Sequence, residues 1–211
     1  MSVEPTGLRE AKKQETRQLI SDHATRLFMQ QGFEATTIAE IATAARVAKK
    51  TVTNYFARKE DLALDYHEAF TNSLATTVTE RLDGESALTA LRRAFDAALE
   101  ARDPVAGFAG PAFSRMIAES PTLTARLREL HDQREQNLAQ ALASATDAAP
   151  DDIAPRAAAA QLAAAHCLLF TRIQELTLAG HDNDAIAATL TAEAAHVFDQ
   201  LEPVLADYAT R

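Results

Sequence analysis

Apolar residues recur at intervals of three and four along nearly the whole chain, with no sustained apolar–polar alternation. That periodicity predicts an all-α protein. A first helix is expected from about 10 to 31, with Leu19, Ile20, Ala24, Leu27 and Phe28 on its apolar face. Gly32 is placed to close it in the left-handed conformation that glycine adopts cheaply. Thr37-Ile38-Ala39-Glu40 reads as a capping box, in which hydroxyl and carboxylate satisfy each other's backbone N–H. It opens a short helix to about 44. A turn over 45–47 leads to a second short helix, roughly 48–56, and a long helix then runs from near Lys59 to Gly84.

Beyond that, 86–102 is helical, with Leu88, Leu91, Phe95 and Leu99 on one side. Asp103-Pro104 is a stop and restart, because aspartate caps well and proline fits a first turn. Gly107, Gly110 and Pro111 make the next piece short, irregular or kinked. Ser120-Pro121 opens a helix to about 145, and 146–154 is a loop. Two last helices, about 155–179 and 183–208, are separated by Gly180, which brings the total to about nine. Both carry apolar stripes: Leu162, His166, Leu169, Phe170, Ile173 and Leu176 on one, Ile186, Leu190, Val197, Leu201, Val204 and Leu205 on the other. The pattern alone leaves open whether these stripes face the chain's own core or a partner.

Composition narrows the class. A hydrophobic content of 47% over 211 residues supports a folded core. No run of eighteen apolar residues occurs, so no membrane partner is expected. The charged stretch 1–14 lacks the apolar core of a leader, and the single cysteine, Cys167, suits a reducing compartment, so a cytoplasmic protein is expected. The net charge of −9 argues at first against a nucleic-acid partner, but its distribution reverses that. Residues 1–60 hold ten basic side chains against seven acids, a net of +3, and all five lysines. Residues 61–211 hold eleven arginines against twenty-three acids, a net of −12. A local DNA-binding surface on an acidic body would have this asymmetry.

The informative segment is 37–56. Two short helices joined by a tight turn cannot bury a core alone, so the first helix must supply a third side. Ile38, Ile41 and Ala42 would face inward with Val47, Val52 and Phe56, while Lys49, Lys50, Thr51, Thr53 and Asn54 stay outward. A hydroxyl- and lysine-rich outer face fits the major groove. Lysines in a first turn oppose the helix dipole, which favours a phosphate partner.

The run Thr36-Thr37-Ile38-Ala39-Glu40-Ile41-Ala42, then Ala45-Arg46-Val47-Ala48-Lys49-Lys50-Thr51-Val52-Thr53-Asn54-Tyr55-Phe56 and Lys59-Glu60-Asp61-Leu62, closely resembles the DNA-binding domain of TetR-family repressors. Phe28 and Gly32 also sit where that family has them. The match covers about 12–65. It implies a three-helix helix-turn-helix domain over 1–60 and a helical ligand-sensing and dimerisation domain over 61–211. By resemblance, Thr37, Tyr55 and Lys59 contact backbone phosphates, and Lys49, Lys50, Thr51, Thr53 and Asn54 lie in or beside the major groove. Three departures stand out. Arg46 occupies a turn position usually glycine, so that either the angle between the helices differs or Arg46 carries strain while adding a phosphate contact. Ala48 replaces a frequent serine, a cap worth roughly 1 kcal/mol. Thr53 replaces a frequent aromatic residue, so base preference does not carry over.

The resemblance further implies a homodimer through the last two helices on a palindromic operator of double-stranded DNA, where two copies one DNA turn apart multiply affinity. It also implies a pocket for an unidentified small-molecule effector, with no other cofactor. Candidate lining residues are Phe95, Phe108, Phe113, Met116, Leu127, His131, His166, Cys167, Phe170 and Gln174, which combine apolar walls with a few polar anchors. The expected protein is a one-component repressor released by its ligand. An activator or global regulator of the same fold, or a helical protein-interaction adaptor, are the alternatives. An enzyme is not expected. Glu193-Ala194-Ala195-His196 has the Glu-x-x-His spacing of di-iron bundles but no second copy, and there is no phosphate loop, zinc-ligand spacing or nucleophile constellation.

Overall fold

A computed structural model of the chain describes residues 5–211, with side chains from Arg9 onward. Residues 1–4, part of the stretch read as no leader, lie outside the described residues. Among the described residues there are eleven α-helices, one 3-10 turn and no strand. The expected total of about nine is exceeded because two expected helices are each broken.

The first break splits the helix expected from Lys59 to Gly84 into α4 (Lys59–Ala63) and α5 (His67–Thr79). No glycine or proline marks it. Leu64 leaves the helical region at φ −111°, ψ 50°, and the Asp65 carboxylate accepts a 2.5 Å hydrogen bond from the Ser21 hydroxyl. The second break splits the last expected helix into α10 (Asn183–Asp199) and α11 (Glu202–Leu205). Here the cause is legible: Pro203 cannot donate to the carbonyl four residues back, and its ring would collide with it.

The chain divides into two compact units. One holds the described residues up to Asp65 together with Met116–Arg126. It contains α1 (Pro5–Gln31), α2 (Ile38–Ala44), α3 (Lys49–Tyr55) and α4. Its core is built from Ile20, Ala24, Phe28, Phe33, Ile41, Val52, Phe56 and Leu62, all at most 5% exposed. Leu19, expected on the apolar face of α1, is 44% exposed, and Ser21 is buried instead. Ile38 and Val47, expected inside, are half-buried.

The other unit comprises Tyr66–Arg115 and Leu127–Arg211. It holds α5, α6 (Ala87–Ala101), the 3-10 turn Pro104–Ala106, most of α8 (Pro121–Ala145), α9 (Ala154–Leu178), α10 and α11. The intervening α7 (Pro111–Glu119) is short, as Gly107 and Gly110 before it and its own Pro111 foretell. The caps read from the sequence form: Asp103 accepts from the Val105 N–H and Ser120 from the Leu123 N–H.

The apolar stripes of the last helices turn inward. Leu162, His166, Leu169, Phe170, Ile173, Leu176, Ile186, Leu190 and Leu205 are buried within the single chain, Val197 and Leu201 pack against the same core, and Val204 is exposed. Outward-facing positions include small side chains, Ala157, Ala160 and Ala164 on α9 and Ala185, Ala188 and Ala192 on α10, together with Gln161, Leu168 and Thr171.

Candidate functional site

The turn between α2 and α3 is set by backbone hydrogen bonds. The Val47 N–H donates to the Ala42 carbonyl and the Arg46 N–H to that of Thr43. This paired closure demands a left-handed residue between them, and Arg46 takes that role at φ 55°. A side chain with a Cβ is disfavoured in that left-handed region. Upstream, Gly32 closes α1 at φ 86°. Thr37 then caps α2 reciprocally: its hydroxyl oxygen accepts from the Glu40 N–H while the Glu40 carboxylate accepts from the Thr37 N–H and hydroxyl. Those bonds, the Thr37 side chain first, hold the Glu40 carboxyl below the usual range.

Helix α3 begins at Ala48 with no side-chain cap. Lys49, Lys50, Thr53 and Asn54 are exposed, Thr51 and Tyr55 are half-buried, and Val52 is sealed in the core. No acidic residue lies on α3. The Thr53 hydroxyl donates to the Lys50 carbonyl, which leaves its oxygen as an acceptor toward solvent. Two side chains outside α3 brace this unit, one at the end of α3 and one at the loop between α1 and α2. Arg17 of α1 donates to the Tyr55 carbonyl at 3.2 Å and stacks on the Phe56 ring at 4.5 Å. Its position was readable, because residue 17 continues the inward stripe through Ile20, Ala24 and Phe28 by three- and four-residue steps. Lys59, expected at a DNA phosphate, has partners within the chain. Its ammonium donates to the carbonyls of Phe33, Thr36 and Glu34 at 2.9, 3.1 and 3.5 Å and lies over the Phe33 ring. All three N–H bonds are thus engaged inside the chain, so Lys59 clasps the loop between α1 and α2.

The same unit includes the start of α8. The Ser120 hydroxyl donates to the Glu34 carboxylate at 2.5 Å, and Arg126 pairs with Asp61 at 2.9 Å. Asp61 also accepts from the Arg58 N–H. Bonds from Ser120 and then Thr122 lower the Glu34 pKa.

In the second unit a cavity of about 170 Å³ is lined from α5 by Ser73, Leu74 and Thr77 and from α6 by Leu91, Ala94, Phe95 and Ala98. Asp103, Val105 and Ala106, with Arg134 of α8 and His166 and Phe170 of α9, complete it. Of the ten expected lining residues, Phe95, His166 and Phe170 are among these. Phe108, Met116, Cys167, Gln174, Phe113, Leu127 and His131 are not. Gln174 instead donates to the Gly107 carbonyl, and Phe108 is buried in the core. Met116 clusters with the other unit, Phe113 and Leu127 are half-buried, and Cys167 is a partly exposed free thiol.

Two ring clusters flank the cavity, each a histidine between phenylalanines. Phe70, His131 and Phe170 have centroids 4.9–5.7 Å apart; Phe95, His166 and Phe198 have theirs 5.5–6.0 Å apart. Burial, then the nearby Arg134 charge, pushes the His131 pKa down to about 4 and that of His166 to about 3. Sequence reasoning passed over Phe70, Phe198 and above all Arg134, an arginine in a polar-looking run of α8 that is only 6% exposed. The Glu193–His196 pair has other partners: Glu193 pairs with Arg172, and His196 shares a hydrogen bond with Gln200.

Comparison with known proteins accords with this geometry. Residues 20–66 match the family described as bacterial regulatory proteins, tetR family. The chain is 33% identical over 156 residues to the HTH-type transcriptional regulator TcmR of Streptomyces glaucescens, a match covering 71% of this chain and 69% of that one. Among solved structures it is similar in fold to NalD, the secondary repressor of the MexAB-OprM multidrug efflux pump in Pseudomonas aeruginosa (TM-score 0.54, 18% identity, 89% of this chain and 97% of that one). It is also similar to the fatty acid degradation regulator FadR of Bacillus halodurans (TM-score 0.51, 16% identity, 95% and 98%).

Proposed function

The chain belongs to the TetR family of bacterial regulatory proteins, and from that premise we propose that it is a repressor that binds an inverted-repeat operator as a homodimer and is released by a small molecule. It is a DNA-binding transcription regulator, not an enzyme. Among the described residues no helix is long and apolar enough to cross a membrane.

The observation that carries the reading is the outer face of α3. Lys49, Lys50, Thr53 and Asn54 are exposed together on a helix that carries no acid, and Arg17 fixes the backbone at its end. Lysines supply the sequence-independent phosphate attraction, and Asn54 and Thr53 supply base-edge acceptors and donors. Dimerisation is assigned to the outer strip of α9 and α10, because small side chains let helices approach closely. Release is assigned to α8. Its first turns cluster with the DNA-binding unit through Glu34 and Asp61, and its later turns carry Arg134 into the cavity. A ligand that favours one placement of α8 shifts operator affinity by its differential binding free energy.

The test is a gel shift and footprint on inverted repeats beside the chain's own gene. A protected palindrome, with half-sites about one DNA turn apart, is expected. Lys50→Ala should weaken binding to all sequences and shrink the salt slope by about 1 per recognition helix. Asn54→Ala should change base preference instead. Absence of sequence-specific binding at every salt concentration overturns the reading.

A further inference from the structure

The cavity in the second unit holds a buried cation whose donors are mostly unengaged. Arg134 is 6% exposed and lines the cavity. Its Nε–H donates to the Ser73 hydroxyl oxygen at 2.9 Å, and its guanidinium lies 4.6 Å from the Phe70 ring centre. An arginine has five N–H donors, and among the described residues only the Nε–H of Arg134 meets an acceptor. The other four meet no protein acceptor and are not sealed off from water, so a ligand with an acceptor group can reach them. Nothing nearby carries a second positive charge: His166 is neutral at pH 7, and its Nε2 is buried without a hydrogen-bond partner. Asp103 shares the lining and its negative charge acts on Arg134, but its Oδ1 accepts from the Val105 N–H and, among the described residues, no hydrogen bond joins it to the guanidinium. Thr77 also lines it, with its hydroxyl donating to the Ser73 carbonyl, and the remaining walls are apolar, among them Leu74, Leu91, Phe95 and Phe170.

We propose that this cavity binds a small aromatic carboxylate, its acid group paired with the free fork of Arg134 and its ring held between Phe95 and Phe170. A planar fork of N–H groups matches a carboxylate bidentately. Size restricts the rest of the ligand: an apolar cavity of roughly 150 Å³ accommodates benzene, so about 170 Å³ takes one ring bearing a carboxylate. The proposal rests on the reading of this protein as ligand-released and names the class of that ligand.

The test is calorimetric titration of the full chain with benzoate, benzyl alcohol and benzylamine, followed by the operator gel shift with benzoate present. Benzoate should bind once per chain, about ten- to a hundredfold tighter than benzyl alcohol, with benzylamine weakest. Arg134→Met, which keeps the volume, should erase the benzoate advantage and leave benzyl alcohol unaffected. The ranking of the three probes on the unaltered protein decides the matter even if that variant fails to fold. Equal or tighter binding of benzyl alcohol, no benzoate binding at millimolar concentration, or full benzoate affinity in folded Arg134→Met overturns the proposal. Benzoate bound through Arg134 while the operator stays occupied supports the site and overturns only the release step of the proposed function.

Discussion

Arg46 holds a left-handed turn at φ 55°, where a side chain with a Cβ costs about 1–2 kcal/mol. Glycine would relieve that strain, offset in part by the greater freedom it gives the unfolded chain. Arg46→Gly is therefore expected to stabilise the protein by about 0.5–1 kcal/mol in urea unfolding. If the guanidinium also touches DNA, operator affinity falls in the same variant, and the two readouts separate strain from contact. The buried histidines give a second residue-scale prediction. His131 and His166 have folded pKa values near 4 and 3, below the ordinary 6.5, so the unfolded chain takes up protons that the folded chain refuses. Stability is therefore present above about pH 6.5 and is lost as pH falls below it. The loss is on the order of 1.4 kcal/mol per pH unit for each histidine that stays neutral. Unfolding free energies measured from pH 7 to pH 5 should show this slope, and His166→Phe should roughly halve it.

At the scale of the element, the helix-turn-helix depends on side chains that bind backbone carbonyls. Lys59 joins the start of α4 to the loop after α1, and Arg17 joins α1 to the end of α3. Lys59→Met leaves three loop carbonyls without that donor, and the loss of a charged hydrogen-bonding group is worth about 1.5–3 kcal/mol. The variant is expected to unfold at lower denaturant and to lose affinity for specific and nonspecific DNA alike. Unchanged stability with weakened DNA binding would return Lys59 to the phosphate contact that the family resemblance implies. The sequence showed the helices because their starts and stops are local. It did not show the break at Leu64, where the deciding hydrogen bond comes from Ser21, forty-four residues away from Asp65.

At the scale of the whole molecule, the dimer reading turns on which faces of α9 and α10 remain outside the core. Most large apolar residues of both helices are buried within one chain, so the proposed partner face is made of the exposed alanines with Leu168, which is 58% exposed. Leu168→Glu is expected to leave each chain folded, with an unchanged circular dichroism spectrum. Analytical ultracentrifugation should then show monomers, and operator affinity should collapse because the two recognition helices no longer act together. A variant that stays dimeric would move the interface elsewhere.

The sequence by itself determined the helical class, the capping box at Thr37, the left-handed closure at Gly32 and the lysine-bearing outer face of α3. Each depends on spacing or local backbone chemistry within a few residues. Tertiary structure decided that the Lys59 ammonium meets the carbonyls of the loop after α1, that most of the stripes of the last helices belong to the core, and that Arg134 enters a cavity walled by four helices and the turn beyond α6. Burial of a charged side chain is fixed by what packs over it from distant parts of the chain. An arginine in the polar run of α8 therefore looks the same in sequence whether it meets water or an apolar cavity.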